Sequence, residues 1–150
     1  MYKRITERLI RTTFAQISAG DHEGATRAVA EDAHHVFPGA NALGGERHSR
    51  DAMLRWLARL ERLIPEVEFE VQRVSVKGPP WDMWVAVQWT DRGKAADGEP
   101  YENRGAHWMR IRRGRAISIQ AYLDTEPVTA LCNRLAAAGF TEAAAAPVTD

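Results

Sequence analysis

The sequence predicts an α+β domain shaped as a cone, with helices packed on one face of a curved antiparallel sheet. Three observations carry this. Apolar residues recur at helical spacing through residues 2–64 and again near 126–138, whereas residues 67–124 alternate apolar and polar. Helices and strands fall in separate blocks, the order of an α+β domain. Inside one strand the alternation changes parity, from Val67, Phe69 and Val71 to Val74 and Val76. Such a switch marks a β-bulge, here near Gln72-Arg73, and a bulge bends a sheet.

The elements follow in order. Residues 2–19 place Ile5, Leu9, Ile10, Phe14 and Ile17 near 3.6-residue spacing, and Gly20 stops that helix. Asp21 offers a capping carboxylate to a short second helix over 22–30. Asp32 to Phe37 reads as a strand, closed by Pro38-Gly39, and residues 38–48 read as a loop. Ser49 caps a third helix at about 50–64 with the stripe Met53, Trp56, Leu57, Leu60 and Ile64, and Pro65 follows it. After the bulged strand, Gly78-Pro79-Pro80 turns the chain into a strand in which Met83, Val85, Val87 and Trp89 share a face. A polar connection over 92–100 leads to a strand of about 101–112, a tight turn at Arg113-Gly114 and a strand of about 115–124. Thr125 caps a last helix over about 126–138, ended by Gly139. Residues 1–140 thus form one domain, and 141–150 read as a disordered tail.

Composition narrows the partners. Lys plus Arg number 20 and Asp plus Glu number 20, so the formal charge is zero. A balanced surface argues against a nucleic-acid or anionic-membrane partner. No run is long and apolar enough to span a bilayer, and no secretory signal is visible at the N-terminus. The lone Cys132 excludes an internal disulfide, and a reducing cytoplasm is the default compartment. Leu, Ile, Val and Phe total only 30 of 150 residues. The centre therefore leans on aromatic residues, and a partly hollow interior suits a small apolar organic ligand.

The pattern resembles the nuclear transport factor 2-like superfamily, within it the SnoaL-like polyketide cyclases and ketosteroid isomerase-like proteins. The carrying segments are Ala19-Gly20-Asp21, Glu31-Asp32-Ala33, Phe37-Pro38-Gly39, Gly44-Gly45 and Arg50-Asp51-Ala52. The hairpin from Met109 to Ile117 running into Tyr122-Leu123-Asp124 completes the set, which spans about residues 5–135. The resemblance implies a cofactor-free acid/base enzyme. The isomerase triad of a helix Tyr, a base Asp and a protonated Asp falls on Thr13, Phe37 and His107, so steroid-type isomerisation by that triad is not expected. The cyclases place an acid/base Asp at the end of the last long strand, where Asp124 stands.

A turn centred on Arg113-Gly114 pairs Arg112 with Arg115, and on that register His107 faces Gln120 and Asn103 faces Asp124. Asn103, His107, Met109, Gln120, Tyr122 and Asp124 then share a face, and a one-residue slip would undo this. Asp124 is the first catalytic candidate, since an apolar mouth raises a carboxyl pKa towards the range of a useful base. Its alternative role is to cap the last helix. His107 is the second candidate, as a donor to an enolate oxygen or a proton shuttle, with a core pairing to Gln120 as the alternative. Tyr101, Asn103, Gln120 and Tyr122 orient the substrate, His35 adds a polar lining, and Phe37, Trp56, Trp89 and Met109 form walls.

No metal is expected. His34, His35 and His48 lack the H-x-x-x-H spacing, and adjacent strand residues point apart. The resemblance implies a homodimer through one sheet face, which an exposed Trp84 or Trp108 would suit. The rival to catalysis is a non-catalytic binding or dimerisation module; a third reading has Asp124 activating water on an epoxide.

Overall fold

The computed structural model describes residues 1–150. Its elements are α1 (Tyr2–Ser18), α2 (His22–Thr26), β1 (Val29–Phe37), β2 (Gly45–Arg47), α3 (Arg50–Leu63), β3 (Glu68–Lys77), β4 (Asp82–Lys94), β5 (Pro100–Arg112), β6 (Arg115–Leu123) and α4 (Glu126–Ala137), followed by a 3₁₀ turn at Thr141–Ala144. The six strands form one sheet in the order β2-β1-β6-β5-β4-β3. The architecture is the expected α+β cone, with helices covering one face of a curved sheet. No helix is long and apolar enough to cross a membrane.

Local chemistry sets the boundaries. The Asp21 carboxylate accepts from the Gly24 amide at 2.9 Å, and the Ser49 hydroxyl accepts from the Ala52 amide at 3.1 Å, so these two predicted caps are made; the third, Thr125, makes no side-chain capping bond, and the Asp124 carboxylate accepts from the Glu126 amide there instead. The β3–β4 register shifts between Val71 and Arg73, the site of the expected bulge. Arg113 and Gly114 both take positive φ, +50° and +77°, as a two-residue hairpin turn requires.

Five expectations need correction. The second helix ends at Thr26, and Val29 and Ala30 already belong to β1. The loop at 38–48 contains β2, whose three residues pair antiparallel with His35, Val36 and Phe37. β1 and β6 run parallel, so the sheet is not wholly antiparallel; these strands are not hairpin neighbours, and the intervening chain is long enough to return in either sense. Residues 141–150 are not a loose tail: Ala143 and Val148 are buried in the core. On α1 the inward stripe is Thr6, Ile10 and Phe14, while Ile5 and Leu9 are more than half exposed.

The core divides in two. One cluster joins α3, α4 and the 3₁₀ segment around Trp56, Leu57, Leu60 and Leu131. The other packs α1 on β4 through Ile10, Phe14, Val85, Val87 and Trp89. The candidate site lies where they meet.

Candidate active site

A second bulge decides which side chains face inward. Arg112 pairs with Arg115 as expected, but the β5–β6 register shifts between Arg110 and Ile111, so Arg110 opposes Ser118 and Trp108 opposes Gln120. His107 therefore faces Ala121, not Gln120, and Gly105 faces Leu123. One extra residue on β6 moves every later side chain to the opposite face. Gln120 and Tyr122, expected in the pocket, lie on the outer face beside Trp108, and Tyr122 is 58% exposed. Asp124 is also displaced from the pocket. It is exposed, its Oδ1 accepts from the Glu126 amide at 3.1 Å and its carbonyl accepts from Asn103 Nδ2 at 2.8 Å. Its contacts are those of a residue opening α4.

An enclosed cavity of about 40 Å³ lies between the helices and the sheet. Among the expected residues it is lined by His35, Phe37, Trp56, Trp89, Tyr101 and His107. Met109 points inward but is packed in the α1–β4 cluster and does not line the cavity. Asn103 stands outside it, with Asp124, in an open groove of about 720 Å³. Asp91 and Phe69 border both spaces, so they stand between the groove and the cavity.

Asp91 is a buried acid that the sequence does not single out. It continues the inward series Met83, Val85, Val87, Trp89 by one more step, and that alternation was the available signal. Asp91 is 6% exposed, and its Oδ1 is buried without a hydrogen-bond partner. Burial pushes its carboxyl up to about 7, with the Asp91 and Asn103 amides pulling weakly the other way. Near neutral pH the group therefore carries its proton about half the time. Tyr101 is pushed above its ordinary value by burial and then by the Asp91 charge, so its phenol stays protonated.

Two histidines complete the interior. Trp89 Nε1 donates to His107 Nδ1 at 2.7 Å, and Arg47 donates to His35 Nδ1. With Nδ1 accepting, each neutral ring carries its proton on Nε2. Burial lowers His107 to about 4. His35 is lowered well below its usual value by burial and next by the Arg47 charge. Both rings are neutral at pH 7 and offer an Nε2–H donor. Phe14 meets His107 edge-on at 5.4 Å and Trp56 meets His35 at 4.8 Å, which holds the two planes. Gly105 allows Trp89 to lie across β5: a Cβ there would stand 2.9 Å from the indole and 2.6 Å from the Tyr122 carbonyl.

The cone agrees with the sequence comparison. The SnoaL-like domain family matches residues 10–119. The chain belongs to the SnoaL-like domain family. A nuclear transport factor 2-like protein of unknown function from Burkholderia pseudomallei superposes with a TM-score of 0.73 at 22% identity, over 83% of this chain and 95% of that one. A protein with a ketosteroid isomerase-like fold from Catenulispora acidiphila, in complex with trimethylamine, gives 0.67 at 18% identity, over 82% and 90%. A putative polyketide cyclase from Xanthomonas campestris gives 0.63 at 15% identity, over 84% and 95%. No functionally curated protein matches the sequence. At these identities the solved structures establish the fold of this SnoaL-like chain, and the chemistry has to come from its own residues.

Proposed function

We propose that this SnoaL-like domain is a cofactor-independent acid/base enzyme, an isomerase or cyclase acting on a small apolar carbonyl compound, with Asp91 as its proton carrier. The observation that carries the proposal is the buried Asp91 carboxylate, its Oδ1 without a partner and its pKa pushed to about 7, at the entrance to an apolar cavity. A base is most useful when its pKa lies near the working pH.

In the proposed reaction the Asp91 carboxylate takes a proton from the carbon next to the substrate carbonyl. The C–H electron pair moves into the C–C bond, and negative charge collects on the carbonyl oxygen. The Tyr101 phenol, which lines the same cavity, feels the Asp91 charge and keeps its proton, stabilises that oxygen by hydrogen bonding. Asp91 then returns the proton to a different carbon, which isomerises the substrate. In the cyclase variant the enolate carbon attacks a second carbonyl of the same molecule, closing a ring, and Asp91 protonates the new alkoxide. Val87 opposes His107 and Asn103 opposes Asp91 across β4 and β5, a separation of roughly 13 Å at about 3.3 Å per residue. The neutral His107 imidazole thus meets a part of the substrate remote from the reacting carbon. Asp124 and Asn103, in the outer groove, take the role of guiding entry. The hydrolytic alternative through Asp124 loses its support, because that carboxylate is exposed and already bonded to the Glu126 amide.

Deuterium exchange tests this directly. Incubating the protein in D2O with a panel of cyclic and aromatic ketones, read by proton NMR, gives loss of an α-proton signal faster than buffer, and Asp91→Asn abolishes it. Exchange that survives in Asp91→Asn would remove Asp91 from the role. A second reading, a non-catalytic binding domain, is favoured by the small cavity volume, about 40 Å³, where one water needs roughly 10–15 Å³. Ketones that raise Tm without any exchange would favour it. The same proposal takes the chain as a cytoplasmic homodimer. Its supports are the single buried thiol of Cys132 and the stacked Trp84–Trp108 pair on the outer face, with rings 5.4 Å apart.

A further inference from the structure

Pairing of β1 with β2 assembles a second chemical group far from the Asp91 cavity. The register His35↔Arg47 and Val36↔Glu46 places His34 directly across from His48, with Glu46 two residues before His48 on the same face. His35 and Arg47 point to the interior, so the outward positions bring His34, Glu46 and His48 together beside Val36. His34 Nε2 lies 2.8 Å from Glu46 Oε2. The His34 and His48 rings are parallel within 4°, 4.5 Å apart. One donor atom from each of the three lies within 4.8 Å of the others.

We propose that His34, Glu46 and His48 form a binding site for a divalent transition-metal ion of the zinc class on the outer edge of the sheet. Two imidazoles and one carboxylate form a donor set that suits Zn²⁺, Ni²⁺ or Co²⁺ and that Mg²⁺ or Ca²⁺ does not favour. Three protein ligands leave a fourth position for water or an external ligand. Tetrahedral zinc, with bonds of about 2.0–2.1 Å, needs donors roughly 3.3 Å apart. His34 and Glu46 have side chains 41% and 57% exposed, so both can turn about χ1 and χ2 to close on the ion without moving the backbone. The scaffold beneath is fixed: Arg47, between Glu46 and His48, is fully buried. The His48 amide donates to Asp150 Oδ1 at 2.8 Å, so the chain end is tied to the same spot. A bound ion would clamp a three-residue edge strand to its neighbour and hold the end of the chain against it. The expectation of no metal rested on spacing along the sequence, and the ligands here meet across two strands.

The test is calorimetric titration of the full, untagged, chelator-stripped protein with ZnCl2, alongside a Co²⁺ titration followed by visible absorption. Wild type is expected to bind one Zn²⁺ per chain at micromolar concentrations and to show a Co²⁺ d–d band. His34→Ala and His48→Ala should each weaken binding by at least about tenfold and remove that band. His22→Ala, at a histidine paired with Glu61 elsewhere on the surface, should change neither. Circular dichroism verifies folding, and Glu46→Gln serves if either histidine variant fails to fold. Absence of zinc binding by wild type in that range overturns the proposal, as does binding by the His34→Ala/His48→Ala double variant equal to wild type.

Discussion

Replacing Asp91 by Asn keeps the shape of the side chain and removes its titration. A carboxyl held at about 7 in the folded protein and at 3.8 in the unfolded chain is shifted by about three units, or about 4 kcal/mol at about 1.4 kcal/mol per unit. The sign follows from proton counting. Between pH 4 and 7 the folded state holds the Asp91 proton and the unfolded state has lost it, so raising the pH through that window destabilises the wild type. Below pH 4 both states are protonated and the penalty vanishes; above pH 7 it is fully present. His35 and His107 act in the opposite sense, since both are lowered. Their contribution is present above about pH 6.5 and is lost as pH falls through their folded values. Both histidines remain in Asp91→Asn, so the difference between the two proteins isolates Asp91. Urea denaturation from pH 4 to pH 8 should show the variant gaining on the wild type by about 4 kcal/mol across the range. Any constant offset from the Asn amide is independent of pH and does not enter that slope. A difference that stays flat between pH 5 and pH 8 would refute the buried, near-neutral carboxyl and with it the proton carrier.

Two further predictions concern the frame. Arg47 donates to the Val148 and Gly44 carbonyls and to His35 Nδ1 from a fully buried position, and burial pushes it down to about 10. Arg47→Met should cost about 2–4 kcal/mol, because three buried acceptors lose their donor, and should raise the His35 pKa, read by NMR titration of its ring proton. Trp108 and Tyr122 are 44% and 58% exposed on the outer sheet face, and Arg110 lies over the Trp84 ring at 5.2 Å. Light scattering should give a dimer mass for the wild type and a monomer mass for Trp108→Glu; a wild-type monomer at micromolar concentration would dispose of that interface.

Much of the fold is local chemistry and was legible for that reason. Ser49, Asp21 and Arg113-Gly114 act through hydrogen bonds and dihedral preferences within a few residues. The stripe Met53, Trp56, Leu57, Leu60 and the alternation Met83 to Trp89 expose the period of each element. The parity change after Val71 gave away the bulge in β3 because apolar residues flank it on both sides. The corresponding bulge in β6 has no such mark: the run Ala116 to Leu123 mixes apolar and small residues on both faces. The alternation therefore points Gln120 and Tyr122 inward, whereas the bulge turns them to the outer face. Asp91 was passed over because an acid after Trp89 resembles the start of the polar connection that follows.

The sequence by itself determined the α+β cone, the SnoaL-like kinship, the caps at Asp21 and Ser49 and the aromatic lining formed by Phe37, Trp56, Trp89 and Tyr101. It also picked out His35 and His107, which do face the cavity. The tertiary structure alone decided which acid is buried, how the histidine protons are placed and where His34 meets Glu46 and His48. The physical reason is range. Capping and periodicity act within one element. Desolvation of Asp91, the Trp89 bond to His107 and the convergence of three ligands across β1 and β2 depend on registers set by residues far apart in the chain, and a one-residue bulge is enough to change them.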